Sequence, residues 1–219
     1  MKTEELFLKV EKTARYYSND PNGNKLDSLW IVIHGYAQLA KDFIDEFEFL
    51  NESRTLIIDP EGLSKFYSRN RIGSSWMTKE DRINEINDYL KYLDSLFSIL
   101  KIKYDLSDTL INLLGFSQGV HTAVRWFINS NIVFDNLILC SSDFPADADF
   151  NKLNQKLERS KMFYMHGDKD EIVSGKTFKS GIELLKSKNT PFEKIIFEGK
   201  HEIHSQTLIS VIKNKNHSV

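Results

Sequence analysis

An α/β fold, with a mostly parallel central sheet and helices on both of its faces, is what the 219-residue sequence predicts. Two observations lead there. Apolar runs recur along the chain, and most of them lack the polar alternation of a half-exposed strand; strands buried on both faces of a parallel sheet read this way. Between the runs lie segments whose apolar residues step by three or four, the period of a helix packed along one side. Strand and helix alternating over the whole length leave two faces of one sheet for helices to cover.

The elements follow in chain order. In residues 5–18, Leu6, Leu8 and Val10 alternate with other residues, several of them charged, and predict an antiparallel edge strand or hairpin entering the sheet. Pro21-Asn22-Gly23-Asn24 reads as a turn. Trp30–Ile33 and Thr55–Ile58 are the first buried strands. Residues 60–78 form a long connection rich in Gly, Ser, Arg and aromatics, and connections of that length in compact domains are often functional. The clearest helix is Lys79–Leu100, where Ile83, Ile86, Leu90, Leu93, Phe97 and Leu100 make one apolar stripe and Thr78 with Asp81 forms a capping box at the start. Strands at Thr109–Leu114, Asn136–Cys140, Lys161–Met165 and Phe192–Phe197 follow, with helices at Gln118–Asn129, Gly175–Lys188 and Glu202–Lys213. No internal repeat, low-complexity tract or linker interrupts them, so residues 1–219 are expected to form one domain.

Composition narrows the function. The chain is 41% hydrophobic and 27% charged, with a formal charge of −2 and a pI near 6.3. That balance gives no footing for nucleic acid or an anionic membrane as partner. No apolar stretch approaches the ~20 residues of a membrane span, so no stable membrane insertion is expected. Met1-Lys2-Thr3-Glu4-Glu5 lacks the apolar stretch of a signal peptide. The single cysteine, Cys140, has no partner for an internal disulfide and closes an apolar run, as a buried strand end does. A cytoplasmic setting is expected. Oligomeric state is not fixed by these features.

Gly115-Phe116-Ser117-Gln118-Gly119 closes one apolar run and opens a helix. A serine with glycine two positions to either side, at a strand-to-helix corner, is the signature of a nucleophile elbow: the turn is too tight for side chains at the flanking positions, and it leaves the hydroxyl exposed at the carboxyl end of the strand. Such a serine needs a base, a carboxylate to orient the base, and donors for the oxyanion. Carboxylates follow strands at Asp168, Asp170 and Asp143, and histidines follow the last strand at His201 and His204. The oxyanion donors are expected from the Gln118 N–H, at the positive end of its helix, and from the Tyr36 N–H in His34-Gly35-Tyr36, where Gly35 lets the chain turn back toward the site. His34 itself reads as structural. The spacing of His201 and His204 carries no further ligand set, so no metal is expected. Tyr36, Phe66, Tyr67, Trp76 and Phe144, in or beside loops at the same edge, are candidates for the substrate pocket.

At these residues the chain resembles the α/β-hydrolase superfamily, and more narrowly the phospholipase/carboxylesterase family of small serine esterases that includes the acyl-protein thioesterases. His34-Gly35-Tyr36, Gly115-Phe116-Ser117-Gln118-Gly119, Gly167–Val173 and Gly199-Lys200-His201 carry the resemblance, over about residues 28–213. Glutamine after the serine is typical of that family. The resemblance implies the chain order Ser, Asp, His. It favours Asp170, placed as in the family's G-x-x-D pattern after Gly167, over Asp168 and Asp143, and His201 over His204. The intervals fit a member without a cap domain. It further implies hydrolysis of a small ester or thioester through an acyl-enzyme, without metal or cofactor. Other chemistries of the fold (lipase, peptidase, C–C hydrolase) and a silent ligand-binding module are the alternatives. The chain departs from the family after Gly35, where Tyr36-Ala37-Gln38-Leu39-Ala40 stands in place of small residues and a Gly-Asp pair, and in residues 61–77, which resemble a bacterial branch of small serine hydrolases.

Overall fold

The structure is a computed structural model and describes residues 1–19, 21, 23–68 and 70–213; Asn22, of the expected turn, lies outside them. The strands are β1 (Tyr16–Ser18), β2 (Ser28–Ile33), β3 (Thr55–Pro60), β4 (Ser64–Ser68), β5 (Arg71–Ser75), β6 (Leu110–Phe116), β7 (Asn136–Cys140), β8 (Lys161–Gly167) and β9 (Glu193–Phe197). The helices are α1 (Ala40–Phe43), which runs into a 3₁₀ segment Ile44–Leu50, α2 (Arg82–Lys103), α3 (Gln118–Asn129), α4 (Phe150–Leu157), α5 (Gly175–Ser187) and α6 (Ser205–Lys213). Seven strands form one sheet in the order β1-β3-β2-β6-β7-β8-β9. Every pair is parallel except β1 with β3. β4 and β5 form a separate antiparallel hairpin.

Alternation along the strands feeds two cores. Leu29, Ile31 and Ile33 of β2 enter the core shared with α2, α3, α4 and α5, through residues such as Leu93, Trp126, Leu153 and Phe178. Trp30 and Val32 enter the other, with Phe43 of α1, Phe47 and Leu50 of the 3₁₀ segment, and Leu208 and Val211 of α6. Both faces of the sheet are therefore covered, which is why its strands read as unbroken apolar runs. No described helix is long and apolar enough to cross a membrane.

Several expectations need correction. Of residues 5–18 only Tyr16–Ser18 pair with the sheet, and Leu6, Leu8 and Val10 are exposed; alternation gave them strand character, but β3 offers partners only from Ile58 to Pro60. Helix α2 begins at Arg82 and buries Tyr89, Leu93, Leu96, Phe97 and Leu100, while Ile83 points to solvent. The stripe is rotated because Tyr89 and Leu96 face the core. The cap also differs: the Asp81 N–H reaches Thr78 Oγ1 at 3.4 Å, but the carboxylate that answers Thr78 is Glu85, through the Thr78 hydroxyl at 2.8 Å and the Thr78 N–H. Within the long connection 60–78, Ser64–Ser68 and Arg71–Ser75 pair as antiparallel strands, and α1 with its 3₁₀ extension and α4 are elements the apolar pattern did not announce.

The hairpin matters for the edge of the sheet. Its Ser74 exchanges backbone hydrogen bonds with the loop after β2, Ala37 N–H to Ser74 O at 2.9 Å and Ser74 N–H to Gln38 O at 3.2 Å. The connection after β2 is thereby held as a rigid rim above the carboxyl ends of the strands.

Candidate active site

Ser117 sits between β6 and α3 with φ 52° and ψ −124°, a conformation L-residues seldom adopt. The flanking glycines explain how the turn survives. A Cβ on Gly119 would lie 2.1 Å from the Ile33 carbonyl oxygen of β2, and one on Gly115 would lie 2.6 Å from the Gly119 oxygen. The serine N–H is tied to Cys140 O at the end of β7, at 2.9 Å. The elbow is thus clamped between two neighbouring strands, and its strain is held by their packing.

Two strands away, the loops after β8 and β9 close on each other. Gly167 allows this, since a Cβ there would lie 2.3 Å from Lys200 O. Backbone bonds Asp168 N–H to Phe197 O and Lys169 N–H to Gly199 O, both 2.9 Å, fasten the loops. Asp170 then faces His201, with Oδ2 and Nδ1 2.8 Å apart. Its other oxygen accepts the Ile172 and Val173 N–H groups at 2.9 and 2.8 Å. Burial pushes the Asp170 carboxyl up, but the Val173 N–H and the hydrogen bond and charge of His201 outweigh it and hold the group below the ordinary carboxylate value. A carboxylate accepts, so Nδ1 of His201 carries the proton of this hydrogen bond, and in the neutral ring the lone pair is then on Nε2. The His201 ring packs on Phe116, the residue before the serine, with centroids 4.8 Å apart. Among the described residues neither Ser117 Oγ nor His201 Nε2 makes a hydrogen bond, so the structure joins His201 to Asp170 but not to Ser117.

The competing residues are placed elsewhere. Asp168 accepts the Gly199 N–H at 3.1 Å and serves the loop junction. Asp143, after β7, is paired with His121 of α3 at 2.8 Å. His204 binds Thr207 Oγ1 at 2.7 Å and stacks on Phe197, at the start of α6. Among the described residues no three of His, Cys, Asp and Glu gather as ligands for a metal.

Gly35 stands against the elbow: a Cβ there would lie 3.0 Å from Ser117 Cβ. Its N–H is taken by Gln38 Oε1 at 2.7 Å, whereas the next N–H, of Tyr36, and that of Gln118 have no acceptor among the described residues. His34 is buried and accepts the Gly62 N–H at Nε2, 3.0 Å, so its Nδ1–H donates to Gly35 O at 2.7 Å. Desolvation lowers its pKa to about 4. The Gln118 side chain faces away from the hydroxyl and grips the segment after β5: Oε1 accepts the Trp76 N–H at 3.1 Å, and Nε2 donates to Ser75 Oγ at 3.0 Å and Met77 O at 3.1 Å.

Two of the aromatic pocket candidates need correction. Trp76 is 1% exposed, with its indole N–H on His34 O at 2.9 Å, and Phe144 is buried against Phe150 and Tyr164. Both are core, because the hairpin and the loop after β7 turn them inward. Phe66 stacks on Tyr36 with centroids 5.0 Å apart, forming an aromatic step on the rim; Tyr67 is 79% exposed. Sequence reasoning missed Ser74, Ser75 and Gln38, which shape the rim; their only signal was a polar composition shared with ordinary loops.

The family described as Phospholipase/Carboxylesterase matches residues 21–217. The sequence matches no curated protein. Among solved structures, acyl-protein thioesterase 2 of Zea mays aligns with a TM-score of 0.72 at 16% identity, over 93% of this chain and 98% of that one. Esterase PE8 aligns with a TM-score of 0.69 at 20% identity, over 95% and 100%. A phospholipase/carboxylesterase from Dyadobacter fermentans aligns with a TM-score of 0.62 at 13% identity, over 92% and 95%. At such identities these likenesses speak for the fold.

Proposed function

The chain belongs to the phospholipase/carboxylesterase family, and from that premise we propose that it is a serine hydrolase cleaving small carboxylic esters or thioesters through an acyl-enzyme. Esterase or lipase-type chemistry is what the family does; the residues and the acyl-enzyme are our reading. The observation that carries it is the Asp170–His201 hydrogen bond of 2.8 Å, at the same sheet edge as a serine held at positive φ.

In this reading His201 Nε2 takes the proton of Ser117 as Oγ attacks the carbonyl carbon. Asp170 holds the ring in the Nδ1–H tautomer and stabilises the imidazolium. Negative charge collects on the carbonyl oxygen, where the Gln118 and Tyr36 N–H groups await it; one such donor is worth roughly 10²–10³ in rate. Neither N–H is engaged by a protein acceptor among the described residues, so no intramolecular hydrogen bond has to break for them to receive it. The imidazolium then protonates the leaving alcohol or thiol, and water, deprotonated by His201, releases the acid from Ser117.

The test is covalent. A fluorophosphonate probe is expected to add to Ser117, identified by peptide mass spectrometry, and Ser117→Ala is expected to abolish both the adduct and the hydrolysis of p-nitrophenyl acetate. Absence of an adduct at pH 8 on folded protein would rule the reading out. Comparing p-nitrophenyl esters of rising acyl length with acyl-CoA and peptide substrates then separates ester and thioester cleavage from other chemistries of the fold.

A further inference from the structure

We propose that His166 is a positioning residue of the site, a buried imidazole whose Nδ1–H faces Asp170 Oδ2 and sets how strongly that carboxylate holds His201. His166 precedes the last residue of β8. Its side chain is 5% exposed, that of Asp170 is fully buried, and Nδ1 lies 3.8 Å from Oδ2. Phe178 of α5 fixes the ring by stacking, with centroids 4.6 Å apart and an interplanar angle of 15°. Nδ1 is buried and has no hydrogen-bond partner among the described residues.

A lone pair turned toward a buried carboxylate would be repelled, whereas an N–H is attracted, so Asp170 selects the Nδ1–H tautomer. At 3.8 Å the contact is longer than a hydrogen bond and acts through the field of the N–H dipole. Oδ1 is already occupied by the Ile172 and Val173 N–H groups, so Oδ2 serves His201 at close range and His166 at longer range. The second donor drains charge from that oxygen and weakens its pull on the His201 imidazolium. Desolvation keeps His166 below its ordinary pKa, so the ring acts as a neutral dipole.

The other charged groups of the neighbouring elements are committed elsewhere or exposed to solvent; the exposed ones include Lys176, Lys179 and Glu183 of α5 and Glu193 and Lys194 of β9. Asp168 takes the Gly199 N–H, Lys169 pairs with Glu198, Glu202 takes the Lys200 N–H, and His204 binds Thr207. Asp143 is held by His121. Glu171 and Lys200 are exposed on the loops after β8 and β9.

The kinetic part of the test rests on the serine-hydrolase reading; the spectroscopic part does not. In native protein with ¹⁵N-labelled histidine, the His166 nitrogen shifts at neutral pH are expected to report the Nδ1–H tautomer, and the Nε2–H tautomer would overturn the proposal. His166→Phe keeps the stack on Phe178 and removes the donor; His166→Asn restores an N–H near the Nδ1 position. The His201 Nδ1 proton resonance, which reports the strength of its hydrogen bond to Asp170, is expected to move in His166→Phe and to return to the parental position in His166→Asn, with the acid limb of kcat/KM for p-nitrophenyl acetate moving alongside in the first and returning in the second. A resonance unmoved by Phe, or moved equally by both variants, would refute the role. If the native protein hydrolyses no ester, the functional reading fails while the NMR resonances still decide the part played by His166. Should either variant fail to fold, the native tautomer decides alone.

Discussion

Three aspartates stand after strands at the carboxyl edge of the sheet, and what separates them is their partners. Asp170 binds an imidazole and two backbone N–H groups, Asp168 binds a backbone N–H of the neighbouring loop, and Asp143 binds a different histidine. Asp170→Ala is expected to lower kcat for p-nitrophenyl acetate by about 10³–10⁴-fold, because the base loses its tautomer and its counter-charge together. Asp168→Ala and Asp143→Ala are expected to keep most of the activity. A large loss in either, with Asp170→Ala active, would move the role of the acid. At this scale the sequence was legible wherever a residue type in a fixed pattern admits few uses. Ser117 between glycines, and His201 after the last strand, are of that kind. It was not legible for Trp76 and Phe144, since an aromatic beside a loop packs inward or outward according to neighbours far away in the chain. Nor was it for His166, whose position opposite Asp170 depends on the Phe178 stack from α5.

Among the elements, the hairpin β4–β5 shows how a polar segment acquires structure. Its residues have little apolar pattern, and its fixity comes from the loop after β2 on one side and from Gln118 on the other. Gln118 therefore has a second task besides its backbone N–H. Gln118→Ala leaves that N–H in place but strips the buried Trp76 N–H of its partner and leaves the Met77 carbonyl with the Ser75 hydroxyl alone; the expected cost is about 1–3 kcal/mol, read from urea unfolding. Faster hydrogen exchange in residues 71–77, relative to β6, is expected with it. Undisturbed exchange there would show that the hairpin is held by the β2 loop alone. The long helix α2 and the inner strands were readable because their apolar period is long and regular. Short elements such as α1 and α4 were not, having only four and eight residues to display a period.

For the molecule as a whole, one buried histidine ties stability to pH. His34 joins the loop after β2 to the start of the hairpin segment, accepting the Gly62 N–H at Nε2. Its pKa is lowered from 6.5 to about 4, chiefly by desolvation. The unfolded chain therefore takes up a proton first as the pH falls. The stabilisation is complete above about 6.5 and is lost progressively down through about 4, a total of about 3 kcal/mol. Urea midpoints measured between pH 7 and pH 4 are expected to fall less steeply in His34→Gln than in the parent; parallel curves would mean that the group does not titrate there. The loss is expected to appear as acid sensitivity of the rim that carries the Tyr36 N–H.

The alternation of unbroken apolar runs with helical stripes determined the layered α/β architecture, because burial on both faces of a sheet leaves a composition that no half-exposed strand shows. The Gly-x-Ser-x-Gly turn likewise determined the elbow, since steric exclusion at Gly115 and Gly119 is a local demand. The tertiary structure alone decided which carboxylate meets His201, which aromatics are core, and how much of residues 5–18 joins the sheet. Each of these is a pairing between segments distant in the chain. Its free energy depends on what stands opposite, and no local pattern records that.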